Sequence, residues 1–204
     1  MRSLSVAVFV ASLAVLVVRA DTAPLAEGRY AHMHMKYERT WFGIDVARVD
    51  VWFNQATSNR FRDLAAGKRY TEPVAEQIAL TAMGAEDVLV QVEFLRNASL
   101  GEFLDAAHKN LERARDAGYI TNDTFSTSWR GVKTDFAGLA KRGFKDGDRL
   151  VYRAHADSLQ TTVVSGKRVL LDVMSRDLGA RTSMIASYFA PRTDFRKGLI
   201  KSLF

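Results

Sequence analysis

The chain contains no cysteine and only 3 prolines in 204 residues. Without cysteine there is no disulfide framework, no thiolate metal site and no thiol nucleophile. So few prolines, with 13 glycines, exclude a collagen-like or proline-rich extended chain. Charge of one sign is also lacking: 29 basic residues stand among 23 acidic ones, for a formal net charge of +6. No basic run interleaves with aromatics, so nucleic acid is not an expected partner. Phosphate loops, catalytic triads and dinucleotide motifs are absent too. What remains, 48% hydrophobic and 25% charged, is the composition of a folded globular protein.

The one long apolar run lies at the start. Arg2 precedes sixteen uncharged residues, Ser3 to Val18, and Val18-Arg19-Ala20 offers small side chains before the polar Asp21-Thr22. A basic start, an apolar middle and a small-residue exit form a secretory signal. Sixteen residues fall short of the roughly 20 needed to cross a bilayer. The expectation is a signal peptide over 1–20 and one domain over 21–204, exported to a periplasmic or extracellular space. After cleavage the chain is not membrane-spanning, and the loss of Arg2 and Arg19 leaves +4.

Strand and helix periods then divide the domain. Ala31, Met33, Met35, Tyr37 and Arg39 alternate onto one face of a strand, with His32 and His34 on the other. Ile44 to Phe53 and Val88 to Phe94 read as further strands, and Pro73 opens a short helix carrying Val74, Ile78 and Leu80. Ser99 and Glu102 form a capping box before the stripe Leu100, Phe103, Leu104, Ala107, Leu111 and Ala114. A second amphipathic helix runs through Phe125, Trp129, Val132, Phe136 and Leu139. Three short strands follow, Leu150–Ala154, Thr161–Val164 and Val169–Val173. Two helices, about Ser175–Phe189 and Asp194–Leu203, close the chain around Pro191. This order predicts an α+β open-faced sandwich: a mostly antiparallel sheet covered on one face by amphipathic helices.

Four stretches in this order resemble the chalcone isomerase-like family, in particular its exported bacterial members. They are Arg39-Thr40-Trp41-Phe42-Gly43 through Val51-Trp52-Phe53, Val90–Phe94 through Ser99, Lys145-Asp146-Gly147-Asp148 through Lys167, and Met184 through Leu203. The resemblance implies the same fold and places the family's arginine at Arg39. Its strand threonine falls on Ala47, which has no hydroxyl. Its tyrosine and asparagine, seven apart, fall on Ala98 and Asp105 or on Phe103 and Asn110. Its serine or threonine falls among Thr182, Ser183 and Ser187. Catalysis in the family rests on hydroxyl and amide donors that hold developing enolate charge, and here the phenol and the strand hydroxyl are missing.

The expected function is therefore non-catalytic binding of a small hydrophobic ligand with an acidic, fatty-acid-like head. The alternatives are an intramolecular lyase or isomerase of chalcone isomerase type, and a structural or partner-binding envelope protein. The candidate ligand-binding residues are Arg39, Met35, Tyr37, Phe103 and Asn110, with Arg39 the catalytic candidate if the protein is an enzyme. No cofactor is expected. His32 and His34 are two ligands without a third and read as a solvated pair rather than a metal site. His108 reads as a packed boundary histidine. Asn97 and Asn122 head glycosylation patterns that matter only in a eukaryotic secretory host.

Overall fold

A computed structural model describes residues 31–38 and 45–204. Six strands, β1 (His32–Glu38), β2 (Asp45–Phe53), β3 (Val88–Phe94), β4 (Arg149–His155), β5 (Ser158–Ser165) and β6 (Arg168–Ser175), form one antiparallel sheet in sequential order. Among the described residues there are six α-helices: α1 (Gln55–Ala65), α2 (Glu72–Met83), α3 (Leu100–Asp116), α4 (Asn122–Asp135), α5 (Leu178–Phe189) and α6 (Arg196–Lys201). The expected α+β architecture with an antiparallel open sheet is the observed one. The expected signal segment over 1–20 and residues 39–44, Arg39 among them, lie outside the described residues.

Alternation decides which face is covered. Met33, Val49, Val51, Phe53, Val88, Val90 and Leu150 are buried together with helix residues such as Phe61, Ile78, Ile185 and Phe189 in one core. The other face carries a small separate cluster, Leu89, Val151 and Trp52, amid the charged Arg48, Asp50 and Glu93. There His32 stacks on Trp52 at 4.8 Å and meets Asp50 at 2.7 Å, so its imidazole serves a cross-strand pair.

Several boundaries move. Helix α1 has no counterpart among the sequence expectations, because its buried residues are Thr57, Ser58 and Phe61, too polar a stripe for hydrophobic periodicity to show. Its local signal is Asn54, whose side chain caps the Thr57 N–H at 3.0 Å. In α2, which forms as expected, Leu80 is 56% exposed. It lies two positions, about 200°, round the helix from Ile78, and the packed stripe is Ala75, Ile78, Ala79 and Ala82. The helix expected through Leu139 ends at Asp135 and tightens into a 3-10 turn over Phe136–Leu139. Ser175 belongs to β6, and α5 starts after Asp177, which caps the Gly179 N–H.

Candidate functional site

The capping box at the start of α3 forms as expected: Ser99 accepts the Glu102 N–H at 3.1 Å and Glu102 accepts the Ser99 N–H at 2.8 Å. This anchors the α3 stripe over the sheet, with α4 and α5 beside it. Between these three helices and the sheet lies a cavity of about 260 Å³, close to the lower end of the range typical of small-molecule sites, about 300–1,000 Å³. Its floor crosses the sheet from Ala47 on β2, through Val92 and Phe94, to Tyr152, Thr161 and Val173 on β4, β5 and β6. Four strand spacings separate β2 from β6, about 19 Å. The site is long and narrow, and most of its wall is apolar.

Polar groups in that wall include an arginine, a phenol and a carboxyl, and Glu102, Thr161, Ser175 and Asp177 line it as well. Arg96 stands two residues beyond Phe94, at the β2–β3 end. Its Nε is buried without a hydrogen-bond partner, and no ion pair joins it to any described residue. Tyr152, in the row Val90–Tyr152–Thr161–Val173, puts a phenol into the floor, and Asp135 puts a carboxyl into the wall at the end of α4. Burial, and then the charge of Asp135, push the Tyr152 phenol pKa up. Burial likewise raises the Asp135 carboxyl. Tyr188 is raised by burial first and by Tyr152 second. At the α4–α5 contact, Ser128 donates to Ser183 at 2.8 Å.

The candidate residues divide. Phe103 lines the cavity, packed at 4.8 Å from Phe136 and 4.9 Å from Phe144. Tyr37 and Asn110 also line it, but each is held by Asp194. The Tyr37 hydroxyl donates to Oδ2 at 3.2 Å, and Asn110 Oδ1 accepts the Asp194 N–H at 3.0 Å. Met35 packs against Gly198 of α6 and forms no part of the cavity wall. Of the two registers, Phe103 and Asn110 both reach the cavity, whereas Asp105 is exposed. Ser183 and Ser187 line it, while Thr182 turns back to the Leu178 carbonyl at 2.9 Å. His108 rests against Phe125 and Trp129, as a boundary histidine does.

Arg96, Asp135 and Tyr152 were not among the candidates, although two of them had a signal. Arg96 continues the alternation Val88, Val90, Val92, Phe94 as Arg39 continues that of β1, and Tyr152 sits between Leu150 and Ala154 on a core-facing run. Among the described residues no group of three or more metal-ligating side chains occurs, and no helix is long and apolar enough to cross a membrane.

No family model matches the chain, and no curated protein matches it. Among solved structures it is similar to a fatty-acid binding protein of Arabidopsis thaliana, with a TM-score of 0.58 over 86% of this chain and 87% of that one. Identity is 8%, so the likeness establishes the chalcone isomerase-like fold and nothing finer.

Proposed function

We propose that this protein binds a small amphiphile without transforming it, the apolar body lying along the cavity and an acidic head meeting Arg96. The observation that carries this reading is the guanidinium itself. A cation at the end of an apolar cavity, with a buried Nε unpartnered among the described residues, is costly unless an anion joins it. A carboxylate does so through two parallel N–H···O bonds, and apolar burial adds about 25 cal/mol per Å² along the tail. The fatty-acid binding of the Arabidopsis neighbour supports the same ligand class. The cavity itself is what a binding reading needs and a core filled by its own side chains would lack.

The test compares long-chain fatty acids with the corresponding alcohols by calorimetry or fluorescent-lipid displacement. Acids bind more tightly, and Arg96→Ala removes the difference. Arg96→Lys restores part of it, because lysine lacks the planar two-donor fork. Arg39→Ala, assayed in parallel, measures whether the second arginine shares the head. Equal affinity for acid and alcohol, unchanged in both alanine variants, overturns the reading. Chalcone cyclisation stays at its uncatalysed background; rapid turnover lost in Arg39→Ala would make the protein an isomerase.

A further inference from the structure

Tyr152 and Asp135 share a feature that binding of a plain hydrocarbon tail leaves unexplained. Both line the cavity, and among the described residues neither makes a hydrogen bond. Both face the same cavity, where the Asp135 charge helps to raise the Tyr152 phenol pKa. Among the described residues the sealed polar atoms without a partner are Arg96 Nε and Arg181 Nε, so the Tyr152 and Asp135 oxygens are open to whatever fills the cavity. Asp135 is poorly placed. It is the last residue of α4, where the helix dipole opposes a negative charge.

We propose that the midsection of the cavity is a hydroxyl-recognition site, in which a ligand hydroxyl accepts from the Tyr152 O–H and donates to the Asp135 carboxyl. This rests on the amphiphile reading and narrows it to an oxygenated chain, a hydroxylated fatty acid. A hydroxyl fits because it is the small group that both accepts and donates, as the unlike partners require. Its position along the chain follows from the register. Tyr152 pairs with Val90, four residues up β3 from Phe94, so about 14 Å of strand separates its row from the Phe94 end, where Arg96 stands. The hydroxyl thus lies far from the carboxylate, not on the adjacent carbon.

Competition binding to the full domain tests this with four acids of one chain length: unsubstituted, 2-hydroxy, distally hydroxylated and distally keto. The distal hydroxy acid binds about tenfold more tightly than the unsubstituted one, as two added hydrogen bonds allow. The 2-hydroxy acid gains nothing. In Tyr152→Phe, and separately in Asp135→Ala, which removes the acceptor, the ratio of distal hydroxy to unsubstituted affinity falls toward one. The ligand panel on the unaltered protein decides even if a variant fails to fold. Equal affinity for the unsubstituted and distal hydroxy acids overturns the hydroxyl site and leaves the head-group reading standing. A preference for the keto acid overturns it too, since both partners would then donate. Binding of none of the four overturns the head-group reading, and this site with it.

Discussion

Asn110 Oδ1 accepts the backbone N–H of Asp194 at 3.0 Å, joining α3 to the loop between α5 and α6. The same oxygen accepts from Arg113 at 3.3 Å, its amide donates to the Ala106 carbonyl at 3.1 Å, and Arg113 in turn pairs with Asp194. A side chain so fully used is a bracket. At a position where the family resemblance implies ligand contact, this chain spends the amide on its own backbone.

Asn110→Ala should therefore act on stability. It strips the Asp194 N–H of a buried acceptor, with an expected loss of about 1–3 kcal/mol, read from denaturant unfolding. The preference for acids over alcohols should survive it. A selective loss of head-group discrimination would return Asn110 to the ligand site.

Asp148 makes an enclosed ion pair with Arg142. Its side chain is 1% exposed; it accepts from both terminal nitrogens of Arg142 and from the Lys145 N–H at 2.7 Å. Burial opposes its ionisation, but the bonds from Arg142, Lys145 and Ser165 prevail and hold the carboxyl below the ordinary range. A depressed carboxyl contributes its stability fully above the ordinary carboxylate pKa, and that contribution is lost as pH falls through the folded value. Asp148→Asn should cost about 3 kcal/mol at neutral pH. Melting curves from pH 7 to pH 2 should show the variant's deficit shrinking at the acid end.

Asp135 has the opposite sign. Its raised carboxyl favours the folded state when protonated, and that advantage is lost as pH rises through the folded pKa. Asp135→Asn should then stabilise the protein at pH 7, by about 0.5 kcal/mol, since screening through the cavity keeps the effect small. The gain should vanish below the carboxylate range. A loss of stability at pH 7 would mean that the carboxyl has a structural partner.

Filling the cavity should separate binding from folding. Ala107 lines the cavity from α3. Ala107→Leu should hold or raise the melting temperature by occupying empty space, while weakening fatty-acid binding about tenfold or more. Unchanged binding would place the ligand elsewhere.

Protein recovered from its native host should begin within a residue or two of Asp21, as the small-residue rule at Ala20 requires. N-terminal sequencing decides. An intact start retained in a membrane fraction would replace export with anchoring.

Much of the fold was legible in residue order. Period-two runs marked the strands, and the Ser99–Glu102 box and the Lys145–Asp148 turn set local boundaries, because each is a short-range effect of backbone geometry. Helix α1 escaped because Thr57 and Ser58 are buried where periodicity looks for apolar residues. The site divided in the same way. The aromatic wall at Phe103 followed from a helical stripe, but nothing local tells that Met35 faces Gly198, or that Asp194 occupies Tyr37 and Asn110. The sequence by itself determined the strands, most of the helices and the sheet's antiparallel sense, since these depend on neighbours within a few positions. Only the tertiary structure decided which polar groups share the cavity. Asp135 and Tyr152 stand 17 residues apart in the chain, and they share one cavity only because α4 and the sheet both wall it.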